Sequence, residues 1–132
     1  MREALLSIIK DENRIITGQI DPQYLSDNLG RKKGTAEAVV FPVSTEEISG
    51  VMRYAWKNNL PVTPRGAGTN LVGSTVPSGH GIVLDVSLMN HVLELDKETF
   101  TATVEPGVVL EDFQAYVESK GLFYPPDPGE KK

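Results

Sequence analysis

The sequence predicts an α/β chain: a small parallel strand–helix–strand unit, then the start of an antiparallel α/β layer that is incomplete at the C-terminus. Three observations carry this. The apolar run Ala38–Val43 reads as a strand covered on both faces, and Gly81–Val86 reads as a further strand. Between them lies a helical stripe with its own start and stop signals. Beyond residue 91 the pattern changes to two short runs either side of Asp96-Lys97-Glu98-Thr99, which reads as a hairpin.

Taken in order, Ala4, Leu5, Ile8 and Ile9 recur at helical spacing, so residues 2–11 read as a short amphipathic helix. Residues 13–33 mix glycine, proline and polar side chains and read as an irregular connector. Ser44 with Glu47 three positions on is the capping-box pattern. Ile48, Val51, Met52, Ala55 and Trp56 then form one apolar stripe, which places Trp56 in the core. Asn58, Asn59 and Pro61 stop that helix, since proline cannot continue it. Residues 61–64 are the next strand, and short links make the connection a parallel crossover. The hairpin arms are residues 92–95 and 100–104, and alternation in the second buries Phe100, Ala102 and Val104 on one face. Leu110, Phe113 and Val117 mark a last helix that lacks a capping side chain at its start and has Gly121 at its end. The chain thus divides into a helix and connector (1–36), a parallel subdomain (37–88) and the start of an antiparallel subdomain (89–132).

Composition narrows the function. With 18 acidic against 13 basic residues the net charge is −5, which weighs against a nucleic-acid binder. The absence of cysteine excludes disulfides, a thiolate nucleophile and cysteine metal sites. No apolar run approaches the ~20 residues of a membrane span. Charge in Met1–Leu6 interrupts any signal peptide, so a soluble cytoplasmic domain is expected.

The chemistry concentrates after the strand ending at Pro64. In the stretch Pro64, Arg65, Gly66, Ala67, Gly68, Thr69, Asn70, Leu71, Val72, Gly73, Ser74, glycines allow the backbone to approach a ligand closely. Successive amides in such a turn form an anion-binding concavity, and Arg65 adds a charge suited to phosphate. The dinucleotide fingerprint fails because Leu71 stands where a glycine is needed, and the P-loop fails because Ser74 stands where lysine is needed. A flexible surface loop between strands reads the same residues equally well. His80 and His91 have no third ligand nearby and read as loop or surface residues. Glu46, Glu47, Glu111 and Asp112 sit in first helical turns, where capping explains them better than acid–base work. Asp127, held between Pro126 and Pro128, reads as either a turn or a ligand.

Four motifs appear in order: Phe41-Pro42 with Ser44–Ile48, Pro64–Asn70, Val104–Val108 and Tyr124–Pro128. Together they resemble the N-terminal part of the FAD-binding domain of the vanillyl-alcohol-oxidase (PCMH) type, and within it the glycolate oxidase D-subunit and D-lactate dehydrogenase branch. The resemblance runs from about Ile15 to Glu130. It implies a parallel subdomain beside an antiparallel one with FAD between them. Arg65–Asn70 with Gly73 and Ser74 would hold the pyrophosphate, and Pro126, Asp127 and Pro128 would line the flavin side. Thr69 stands where some relatives carry a flavin-linking histidine, so FAD is expected to be non-covalent. The implied reaction is oxidation of a D-2-hydroxy acid, glycolate or D-lactate, to the 2-oxo acid. Family members continue into a further FAD segment and a substrate domain, so no catalytic residue carries over and a fragment fits better than a complete enzyme. The resemblance leaves room for an electron-transfer subunit, a location at the inner membrane face through partners, and self-association through an exposed edge. Two other readings stay open: a non-catalytic nucleotide or phosphate-binding module, and the related UDP-sugar reductase branch, against which the Tyr124–Pro128 strip argues.

Overall fold

The computed structural model describes residues 1–26, 34–66 and 81–126. Strands β1 (Ile15–Thr17), β2 (Ala36–Val40), β3 (Val62–Arg65) and β4 (Gly81–Asp85) form one sheet in the order β1-β2-β4-β3. β1 runs antiparallel to β2, while β2, β4 and β3 are mutually parallel, with Val39 opposite Val83 and Thr63 opposite Val83 on its other side. Because side chains alternate along a strand, the central pair serves two cores. Ala38, Val40, Ile82 and Leu84 face helices α1 (Arg2–Ile9) and α2 (Thr45–Lys57), meeting Leu5, Ile9, Val51 and Ala55. Val39 and Val83 face the other way, onto Ile20, Tyr24, Leu25 and Phe41. The apolar runs at residues 38–40 and 81–84 are therefore buried on both sides, as the composition of the first predicts.

The first strand run ends at Val40 rather than Val43, because Pro42 has no N–H to continue a ladder and the Val43 amide is claimed by Glu47 (2.8 Å). Half of the predicted capping box forms: Ser44 Oγ accepts from the Glu47 amide (3.2 Å), while the Glu47 carboxylate reaches one residue further back than usual, to Val43. Helix α1 stops at Ile9, two residues short of the predicted end, with Lys10 left-handed at φ 62°.

Two expectations are overturned here. Trp56 is not core: it is 86% exposed, and Met52 beside it is half-exposed. At roughly 100° per residue Trp56 lies about 140° round the helix from fully buried Val51. The inward arc is instead centred on Val51 and Ala55, flanked by Ile48 and Tyr54, because α1 packs against the side of α2 that carries Gly50. A Cβ on Gly50 would stand 2.7 Å from Ile8 Cγ2, so the close approach of the two helices needs glycine there. Second, the 13–33 connector is not wholly irregular. It contains β1, a 3-10 turn at Glu12–Arg14 and another at Pro22–Leu25.

The joint between these pieces is Arg14. Its Nη1 donates to Phe41 O (3.0 Å) and Glu47 Oε1 (2.7 Å), and its Nη2 donates to Ile9 O (2.9 Å) and Glu47 Oε2 (2.9 Å). One guanidinium thus ties the end of α1, the end of β2 and the start of α2.

The second layer is a hairpin of β5 (Val92–Asp96) and β6 (Thr101–Val104), followed by α3 (Leu110–Ser119). Asp96 Oδ1 accepts from the amides of Glu98 and Thr99 and closes the turn. Phe100 belongs to that turn, left-handed at φ 55° and 78% exposed, and not to the buried face of the second arm; all four β6 residues are exposed. The reason is that α3 stands off the hairpin. Leu95, Ala102, Val104, Phe113, Val117 and Leu122 line an apolar groove of about 640 Å³ between them. Helix α3 starts at Val109 without a side-chain cap and ends in a Schellman motif, with Gly121 at φ 80° and the Leu122 amide on Val117 O (2.9 Å). The turn leaving β4 meets the loop before α3 where the Gly107 amide donates to Met89 O (2.8 Å), and the Glu105 amide, donating to His91 O (2.9 Å), extends the hairpin by one pair.

Candidate functional site

Strand β3 carries the chain to the carboxyl edge of the parallel strands, the edge where ligands settle in open α/β sheets. It is an edge strand, paired only with β4, and Pro64 within it offers no donor. Its last residue is held from two directions. Arg65 O accepts from the Val86 amide (2.9 Å), and Arg65 Nη1 donates to Ser26 O (2.7 Å), 39 residues away. Gly66 follows, solvent-exposed, and among the described residues a Cβ built on it would meet nothing within 4 Å.

Of the residues singled out from sequence, Pro64, Arg65 and Gly66 stand together at this edge. Ala67, Gly68, Thr69, Asn70, Gly73, Ser74 and His80 lie outside the described residues, as do Asp127 and Pro128. Pro126 stands in the other layer, its carbonyl accepting from Gln114 Nε2 of α3 (2.8 Å), beside the edge-on ring pair of Phe113 and Tyr124. Asp85, buried and in register with Arg65, spends Oδ1 on the Ser87 amide (2.9 Å) and shapes the turn leaving β4. Ser26 was given no role by sequence reasoning. Its acceptor is a main-chain carbonyl, which leaves no signature in side-chain type.

The carboxylates behave as structural groups. Glu47 is held well below the usual carboxylate range chiefly by its bond to Arg14, against the opposing cost of partial burial. Glu105 is also lowered, first by the His91 side chain and then by the His91 amide, both of which meet its Oε1. The His91 ring is otherwise exposed, as expected of a surface histidine. Among the described residues no group of three or more His, Asp or Glu could hold a metal ion.

A family model described as FAD binding domain matches residues 36–132. The chain belongs to this family. It is 41% identical over 132 residues to "Glycolate oxidase subunit GlcD" of Bacillus subtilis, covering all of this chain and 28% of that protein. It is 40% identical over 120 residues to "D-lactate dehydrogenase" of Anaerostipes hadrus, covering 89% of this chain and 25% of that one. The chain therefore spans about a quarter of the length of these relatives. Among solved structures, 4-ethylphenol oxidase from Gulosibacter chungangensis superimposes with a TM-score of 0.79 at 25% identity, over 91% of this chain and 24% of that one. A p-cresol methylhydroxylase shares the fold at TM-score 0.79 and 21% identity, over 92% and 24%. The match to the FAD-binding family begins at Ala36, the first residue of β2. Helix α1, β1 and the Pro22–Leu25 turn precede that span, yet they close both faces of its sheet.

Proposed function

We propose that this chain is the cofactor-holding part of a flavin-dependent oxidoreductase that oxidises a D-2-hydroxy acid, glycolate or D-lactate, to the 2-oxo acid. The carrying observation is the exposed Gly66 at the carboxyl edge of β3, clear of every other described residue, where the glycine-rich stretch of an FAD-binding family member begins. Main-chain amides from Gly66 to Ser74 would meet the diphosphate, with Pro64 and Arg65 at the entrance and Pro126, Asp127 and Pro128 on the flavin side. When bound, FAD supplies the hydride acceptor, and the protein supplies binding, orientation and electrostatics. The names of the two relatives above support the substrate class. Thr69 in place of a histidine supports dissociable FAD. Residues 37–88 would form the parallel unit of the cofactor domain and residues 89–132 the beginning of its antiparallel unit. The same reading leaves catalytic groups, substrate contacts and any electron-transfer partner to sequence beyond this span, and sets the protein in the cytoplasm or at the inner membrane face. Among the described residues no helix is long and apolar enough to cross a membrane.

Two measurements test this. Titration of the chain with FAD and with ADP should give a clear preference for FAD, followed by flavin fluorescence and calorimetry. Equal affinity for the two would favour a general nucleotide-binding module instead. Gly66→Ala is the sharper probe of place. With no described neighbour within 4 Å and no left-handed φ, it should leave thermal stability within about 0.5 kcal/mol. FAD affinity should nonetheless fall about tenfold or more, because the added methyl intrudes only on a ligand. Unchanged affinity would move the diphosphate away from Gly66.

A further inference from the structure

The sequence invites a simple view of Arg65 as a counter-charge to phosphate, but the structure gives its guanidinium an internal duty. We infer that Arg65 is a positioning residue, a strut that fixes the start of the proposed cofactor loop by gripping the carbonyl of Ser26. This deepens the flavin reading above and rests on it for the ligand.

Three observations converge. The end of β3 is held by its own sheet on one side only, its other edge, onto which Pro64 faces, being unpaired. The object gripped is firm. The Pro22–Leu25 turn is capped by Asp21, whose Oδ1 accepts from the Gln23 amide (3.0 Å). Tyr24 and Leu25 pack into the second core against Val39 and Val83, with the Tyr24 ring edge-on to Phe41 at 5.8 Å. Leu25 O also accepts from the Gly34 amide (2.6 Å), which closes the base of the turn. Finally, the bond is short, at 2.7 Å, and joins a half-buried charged donor to a main-chain acceptor, so it is directional. The Arg65 side chain therefore ties a packed turn lying outside the family-matched span to the backbone that leads into Gly66. Through it, the N-terminal segment shares in holding the cofactor edge.

Arg65→Ala in this chain separates strut from counter-charge. A strut predicts about tenfold faster exchange without ligand at the Val86 amide, which the Arg65 carbonyl holds, while amides of β2 and of the Pro22–Leu25 turn stay protected. It also predicts an FAD affinity lowered about tenfold that stays lowered at ~0.5 M salt, where exposed charges are screened beyond a few ångströms. Unchanged exchange at Val86, or an affinity loss that disappears in high salt, overturns the inference. Should Arg65→Ala not fold, Arg65→Lys, which keeps charge but not the planar fork, is read by the same two measurements. If the unaltered chain binds no FAD, the flavin reading falls, and the exchange data alone decide the strut.

Discussion

Gly107→Ala is expected to cost about 3 kcal/mol, near the upper end for overpacking, and to lower the melting temperature by roughly 10 °C in a chain of this size. A Cβ at this position would overlap the Val86 carbonyl oxygen and stand 2.8 Å from Met89 O, both main-chain atoms with no side-chain freedom to yield. The Gly107 amide is itself bonded to Met89 O, so the loop cannot withdraw without breaking its bond to the turn that follows β4. Gly121→Ala is the proper comparison. Gly121 has a left-handed φ of 80° but open space around it, so alanine there should cost only about 1 kcal/mol. Thermal unfolding of both variants by circular dichroism checks this. A Gly107→Ala loss no larger than that of Gly121→Ala would mean this joint can shift freely.

Glu47→Gln should destabilise the fold by about 3 kcal/mol at neutral pH, because it removes the main counter-charge of a mostly buried guanidinium and leaves only Asp11, at 3.5 Å. The side chains of Arg14 and Glu47 are only 17% and 15% exposed, so solvent screens the pair weakly. The pH dependence has a definite sign. The Glu47 carboxyl titrates below its unfolded value of about 4.3, so its contribution is complete above that pH and is lost as pH falls through the lower folded value. Arg14 is raised, so it stays charged throughout this range. Denaturant unfolding from pH 7 down to about pH 3 should show the gap between the unaltered chain and Glu47→Gln constant above pH ~5 and closing below pH ~4. A gap independent of pH would assign the loss to packing and not to charge.

Much of this architecture is legible in residue order. The runs at 38–40 and 81–84 and the Ser44 cap are local patterns with local causes, and each recurs in the structure. Elements that depend on distant partners are not legible. Three residues, Ile15–Thr17, are too few for periodicity to mark a strand, and only pairing with β2 makes them one. Trp56 fits an apolar stripe in sequence, but which arc of α2 turns inward depends on where α1 lies. For the site, glycine content after a strand identifies the place, and Arg65 can be named as charged. Its grip on a carbonyl 39 residues away has no sequence signal, since any residue at position 26 would present the same oxygen.

The outward position of Trp56 has a practical corollary. It is the chain's single indole, already surrounded by water in the native state. Its emission should be red-shifted from the outset and change little when the core melts, so intrinsic tryptophan fluorescence will under-report denaturation. The same property makes it a quiet background against which quenching by an added chromophore would stand out.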